Sequence, residues 1–201
     1  MTPLLRICAG GMRAVLLALA LALPLAVPAA PAAARHYLLD GPGSQVGFAT
    51  DFGPGRITGT FPVSGADLEL DFADVARSKV SVTLDVSSAQ ASFPFAAQAM
   101  KGPKVLDARH YPTIAFRSTQ VRRNGAGAVI DGALTLRGTT QPVSLRAVFA
   151  RPVGSDPSDL DHLLIWLTGA IRRSAFGATG WPDAVGDEVR LDITARIVRA
   201  D

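Results

Sequence analysis

Between Leu106 and Phe149 the chain reads LDARHYPTIAFRST, a short polar turn, then GALTLRGTTQPVSLRAVF. Each half joins a proline-marked corner to side chains that alternate apolar and polar, the pattern of strand, tight turn and strand. At Tyr111-Pro112 the ring fixes its own backbone angle and pushes the preceding residue away from helix. Ile114, Phe116 and Ser118 then face one way and Ala115, Arg117 and Thr119 the other. Arg122-Arg123-Asn124-Gly125 turns the chain, Leu134 and Leu136 continue an apolar face, and Gly138-Thr139-Thr140 makes a tight reversal. Val143, Leu145, Ala147 and Phe149 follow at period two, so the segment builds antiparallel sheet.

The remaining chain extends that sheet. Tyr37 to Asp40 and Ser44 to Thr50 form an opening strand pair or one bent strand, split by Gly41-Pro42-Gly43. Gly55 to Val63 and Ala66 to Phe72 read as a hairpin about Ser64-Gly65. From Ser78 to Val86 the alternation is cleanest, with Val80, Val82, Leu84 and Val86 inward. Ser87 to Leu106 breaks the rhythm; Pro94 and Gly102-Pro103 bracket about two turns of helix, a flap. Thr140 to Ala150, a loop from Pro152 to Asp161, Leu163 to Ile171, a crossover from Arg172 to Asp187 and Glu188 to Val198 complete the chain. About eight strands with short turns and one excursion predict an all-β fold, a single antiparallel eight-stranded barrel with a short helical flap. Closure removes exposed edges and leaves an interior that side chains fill or share with one small ligand.

Residues 1–34 read as a cleaved signal peptide. Arg13 precedes the apolar run Ala14 to Val27, which is short and broken by Pro24, and Ala32-Ala33-Ala34 has the small-x-small pattern of a cleavage site. Translation from Met12 would give an equally complete leader. The mature chain is then one domain, residues 35–201, exported to the periplasm. Its single cysteine, Cys8, leaves with the leader, so neither a disulfide nor a cysteine-ligated metal holds the fold. The whole chain has a formal charge of +3; removing Arg6 and Arg13 leaves eighteen basic against seventeen acidic residues, about +1. Interspersed charges of that balance argue against a nucleic-acid partner.

No residue pattern demands catalysis. His36, His110 and His162 are far apart and lack metal-ligand spacing, Ser44, Ser64 and Ser174 lack a nucleophile elbow, and Asp183 and Asp187 read as turn residues. No cofactor is implied.

Three motifs, in order, resemble the YceI-like family. Asp107, Tyr111, Pro112 and Phe116 fit its D-x-x-x-Y-P-x-x-x-F corner. Gly132, Leu134, Thr135, Gly138, Thr140, Pro142 and Val143 fit its G-x-L-T-x-x-G-x-T-x-P-V hairpin, and Arg173, Phe176 and Gly177 its late R-x-x-F-G. Ala175 departs from the pattern, since many relatives have an acidic residue there. The resemblance implies a lipocalin-like barrel whose elongated apolar cavity shelters an isoprenoid or other long-chain lipid, such as a quinone, prenyl diphosphate or fatty amide, for transport or storage. The tail would lie among Phe48, Phe61, Leu84, Phe116, Leu134, Leu145 and Trp166, under a flap carrying Phe93, Phe95 and Met100. Arg173 would meet a polar head group at the mouth or sit in a surface salt bridge, and Phe176-Gly177 would seal the barrel end or touch the ligand. The alternative is an exported hydrolase or isomerase acting on a small apolar substrate in the same cavity. Transient membrane contact, and pairing of two barrels into a homodimer through a strand edge, stay open.

Overall fold

Strand β1 (Arg35–Leu39) and strand β2 (Gln45–Phe52) lie end to end along the last strand, β11 (Val185–Arg199), from Tyr37 opposite Arg199 to Phe52 opposite Val185. They act as one bent strand, the second of the two sequence options. The computed structural model describes residues 34–151, 154–156 and 158–200; apart from Ala34, the expected signal peptide, with Cys8, lies outside the described residues.

Against this bent strand run β3 (Gly55–Phe61) and β4 (Val63–Leu70), from Phe52 opposite Gly55 to Arg35 opposite Leu70. The hairpin expected about Ser64-Gly65 does not form. The reversal sits at Gly53-Pro54, where Gly53 takes the left-handed conformation (φ 52°). Ser64 is instead the extra residue of a bulge, since Val63 faces Leu84 and Gly65 already faces Thr83. Pro62, which has no N–H to give, marks the corner, and its carbonyl accepts from the Asp85 N–H at 2.9 Å. A Ser-Gly pair between two alternating runs has the same composition whether it turns the chain or bulges it.

The ring continues through β5 (Lys79–Asp85), β7 (Thr113–Asn124), β8 (Gly127–Leu136), β9 (Thr139–Ala150) and β10 (His162–Arg172) to β11, giving eight antiparallel strands when each bent pair counts once. A two-residue segment, β6 (Gln90–Ala91), adds to the edge of β3. Helix α1 (Pro94–Lys101) follows, with proline in its first turn and Gly102 closing it, the two turns expected of the flap.

Local chemistry sets the register. Arg137 (φ 51°) and Gly138 (φ 73°) form the two-residue turn between β8 and β9, so Thr139 and Thr140 belong to the strand rather than to the reversal. A bulge between Ser118 and Gln120 shifts β7 by one residue and brings Val121 inside where strict alternation would put Gln120. Along β8, Ala128, Ile130, Gly132, Leu134 and Leu136 all face inward and are buried. A Cβ on Gly132 would stand 2.4 Å from the Phe116 ring and 2.5 Å from the Arg117 carbonyl, so the glycine lets that ring lie against the wall. Gly132→Ala is expected to destabilise the fold by about 1–3 kcal/mol through overpacking, read as a lower urea midpoint at unchanged m value.

Candidate functional site

The inward side chains do not meet at the barrel centre. They enclose a cavity of about 500 Å³ that runs from the α1 end to the opposite end of the barrel. Its walls are hydrocarbon: Val80, Val82 and Leu84 from β5, Ile114 and Phe116 from β7, Ile130 and Leu134 from β8, Ile165 and Leu167 from β10, Leu191 and Ile193 from β11. Such a row of β-branched and leucine side chains follows from strands whose inward positions never carry a charge.

Thr50, Ser44, Ser78 and Asp71, polar side chains that reach the lining, are already engaged by the protein. Thr50 Oγ1 donates to the Gly186 and Glu188 carbonyls at 3.1 and 2.9 Å. Ser44 Oγ accepts from the Arg196 N–H at 2.9 Å, and Ser78 Oγ from the Asp71 N–H at 3.0 Å. Asp71, buried at the far end, accepts from the Ala73 and Asp74 N–H groups at 2.9 and 2.8 Å and pairs with Arg77. The Asp74 N–H contributes most, with Arg77 and the Ala73 N–H adding to it, and together they hold the Asp71 carboxyl below the usual carboxylate range against the effect of burial. That end is also shut by aromatic rings, Tyr37 edge-on to Phe72 at 5.8 Å and Phe72 edge-on to Phe149 at 5.7 Å.

Of the side chains expected to hold a ligand, Phe48, Phe61, Leu84, Phe93, Phe95, Met100, Phe116, Leu134 and Leu145 line this cavity. Trp166 does not. Its ring is 43% exposed on the outer face, opposite Val148, while its neighbours Ile165 and Leu167 point inward. Leu163 to Leu167 are all apolar, so alternation could not say which parity is inside. Phe176 is buried but stands outside the lining, in a short 3-10 turn (Arg173–Phe176) that plugs the barrel end and stops at Gly177 (φ 74°). Phe52, Trp181 and Asp71 lie on the lining without having been anticipated: Phe52 and Trp181 sit beside turns, where period two gives no signal.

Arg173 reaches the cavity wall, and its guanidinium is spent on backbone carbonyls of the crossover rather than on a surface ion pair. It is buried and donates to the carbonyls of Gly186 (2.9 Å), Ala178 (2.7 Å), Gly180 (2.8 Å) and Val185 (2.8 Å). A planar fork with five N–H groups is suited to gather carbonyls from an irregular crossover that has no ladder of its own.

A family model for the YceI-like domain matches residues 37–197, all of this ring but two residues at each end. The chain belongs to the YceI-like family. Among relatives, it is 31% identical over 166 residues to a UPF0312 protein of Pseudomonas putida strain W619, covering 82% of each chain. It is 30% identical over 142 residues to a UPF0312 protein of Serratia proteamaculans, covering 71% of this chain and 73% of the relative. The fold is similar to that of Burkholderia cenocepacia BcnA (TM-score 0.71, 23% identity, 79% of this chain and 99% of that one). It is also similar to a polyisoprenoid binding domain from Saccharophagus degradans implicated in plant cell wall breakdown (TM-score 0.58, 11% identity, 83% and 99%).

In this YceI-like chain the signature residues serve mainly as architecture. Asp107 (φ 50°) accepts the Tyr111 N–H on its carbonyl and the His110 Nδ1 contact on its carboxylate, shaping the corner before β7. The Tyr111 ring covers Gly138, where a Cβ would come within 2.8 Å of it. Arg137 Nη1 donates to the Val105 and Gly177 carbonyls at 3.1 and 2.9 Å, joining the β8–β9 turn to the flap loop and the plug. Motif three supplies the plug and its Arg173 staple.

Two outcomes follow. Arg173→Ala strips the side-chain donor from the Ala178, Gly180 and Val185 carbonyls, while Gly186 keeps Thr50, and is expected to cost about 3–5 kcal/mol in urea unfolding; a loss under about 1 kcal/mol would contradict the staple. For Asp71, a lowered folded pKa gives stability that is present above the unfolded value and lost as the pH falls through the folded one. The Tm deficit of Asp71→Asn is therefore expected to be full near neutrality and to shrink below about pH 4, whereas a pH-independent deficit would contradict it.

Proposed function

We propose that this protein shelters the tail of an isoprenoid or similar single-chain amphipathic lipid in its barrel, in the periplasm, for transport or storage. The observation that carries this reading is a 500 Å³ hydrocarbon-lined cavity in which the polar groups of Thr50, Asp71, Ser44, Ser78 and Arg173 are bound to the protein itself. An interior of that kind offers a polar substrate few free partners and withdraws a hydrocarbon chain from water. The polyisoprenoid binding domain from Saccharophagus degradans, which shares the fold, supports the same choice of ligand class.

Magnitudes bound the ligand. A cavity of about 150 Å³ holds a benzene ring, so this volume holds roughly twenty carbons at the same density. Fifteen buried methylene-sized groups are worth about 12 kcal/mol gross, against an association cost of about 4–15 kcal/mol, so retention depends on filling the cavity with chain. With a series of prenyl alcohols, affinity is expected to tighten about fourfold per added methylene equivalent and then to level off near twenty carbons. Affinity that ignores chain length would contradict the reading.

Occupancy is the primary test. Protein recovered from the periplasm of a bacterial host and examined by native mass spectrometry with lipid extraction is expected to carry about one prenyl or quinone lipid per barrel. Phe116→Asp, which puts a carboxylate in the middle of the wall, is expected to abolish it. Protein that is empty and refuses added prenyl lipid would overturn the proposal.

A further inference from the structure

The cavity's rim differs in chemistry from its interior. Phe52 at the end of β2, Phe93 and Phe95 at the start of α1, and Trp181 in the crossover stand around the mouth. They form a continuous collar. The Phe52 and Phe93 rings are 6.1 Å apart, the Gly53 N–H donates to the Ala184 carbonyl at 3.0 Å, and the Gly180 N–H donates to the Lys104 carbonyl at 2.9 Å. Phe95 is 70% exposed, Trp181 42% and Phe52 40%. A single exposed apolar side chain needs no explanation, but large aromatic rings gathered at the opening of an apolar compartment mark a contact surface.

Charge on the collar points to the partner. From Val86 to Leu106 the chain carries Lys101 and Lys104 and no acid; Asp85, just before it and within electrostatic reach of Lys101, accepts from the Ser87 N–H and the Ser88 hydroxyl. The Lys104 ammonium lies 5.9 Å from the centre of the Trp181 ring, so a cation and an interfacial aromatic share one spot. At the neighbouring hairpin Asp51 is engaged by Arg190 and Arg56, and Asp183 is the acid beside Trp181. Aromatic rings flanked by lysines match an anionic bilayer interface, where indole and phenyl rings settle at head-group depth and lysines meet phosphate.

We infer that the collar is a docking face for an anionic phospholipid bilayer. The start of α1 and the Trp181 loop seat in the interface, the mouth opens toward the acyl region, and a lipid tail passes into the barrel without crossing water. This use of the face rests on the lipid-sheltering reading, whereas its test reads docking alone.

The chain from Ala34 to Asp201, which contains every strand of the closed ring, is mixed with sucrose-loaded vesicles and sedimented. One set is phosphatidylcholine with phosphatidylglycerol, the other pure phosphatidylcholine. Wild-type protein is expected to sediment with the anionic set and at least about tenfold less with the neutral one. Lys101→Glu with Lys104→Glu is expected to lose the anionic preference while keeping any lipid detected by mass spectrometry. Phe95→Ser with Trp181→Ser is expected to stay in the supernatant with both sets. All four positions are outside the packed core, and circular dichroism checks that the variants are folded. Wild-type protein that stays in solution, or both double variants sedimenting like wild type, would overturn the inference. A barrel that docks but never holds lipid would leave the docking face standing and overturn the sheltering proposal instead.

Discussion

Closure of the ring through β11 is the constraint on which everything else rests. That strand is fifteen residues long and serves β10 on one side and the whole bent β1–β2 strand on the other. Because the ladders pair most backbone donors and acceptors around the circumference, the interior needs only a few polar side chains to complete the fold. The other inward positions are then free to be hydrocarbon. Eight strands fix a diameter slightly larger than these side chains fill, and the cavity is the remainder.

Closure also explains where the irregular elements fall. Each barrel end must be finished by chain that has no ladder partner. At the far end the Asp71 turn and the Tyr37–Phe72–Phe149 rings do this, with the carboxylate taking backbone donors that would otherwise be left over. At the other end Arg173 supplies donors to a crossover rich in unpaired carbonyls, and Arg137 ties the β8–β9 turn to it. One end is thus plugged beside a collar of exposed rings. The asymmetry gives the cavity a mouth and a floor.

Much of the barrel was legible because period two is a strong signal where polar and apolar residues alternate. Leu134 and Leu136, read from the sequence as one apolar face, are both buried on the inward side of β8. Legibility failed where alternation was lost. Leu163 to Leu167 offer no polar residue to mark the outside, and Trp166 was placed within although it stands without. Ser64-Gly65 has turn chemistry but forms a bulge, a choice made by pairing partners on two other strands. Arg173 was recognisable as a motif residue, but its task depends on four carbonyls brought together only by the folded crossover. Aromatic residues of the mouth were half legible: the flap phenylalanines by their odd composition, Phe52 and Trp181 not at all.

The central claim is that the barrel interior is a compartment for a lipid tail rather than a packed core with incidental space. It is tested most directly by nuclear Overhauser contacts between the tail of an added prenyl lipid and methyl-labelled protein. The account predicts contacts to Leu84, Leu134, Leu145, Ile114 and Ile165, which line the cavity on five consecutive strands of the ring, and none to Leu38 on the outer surface. Contacts confined to outer-surface methyls, with the inward set silent at saturating lipid, would contradict it.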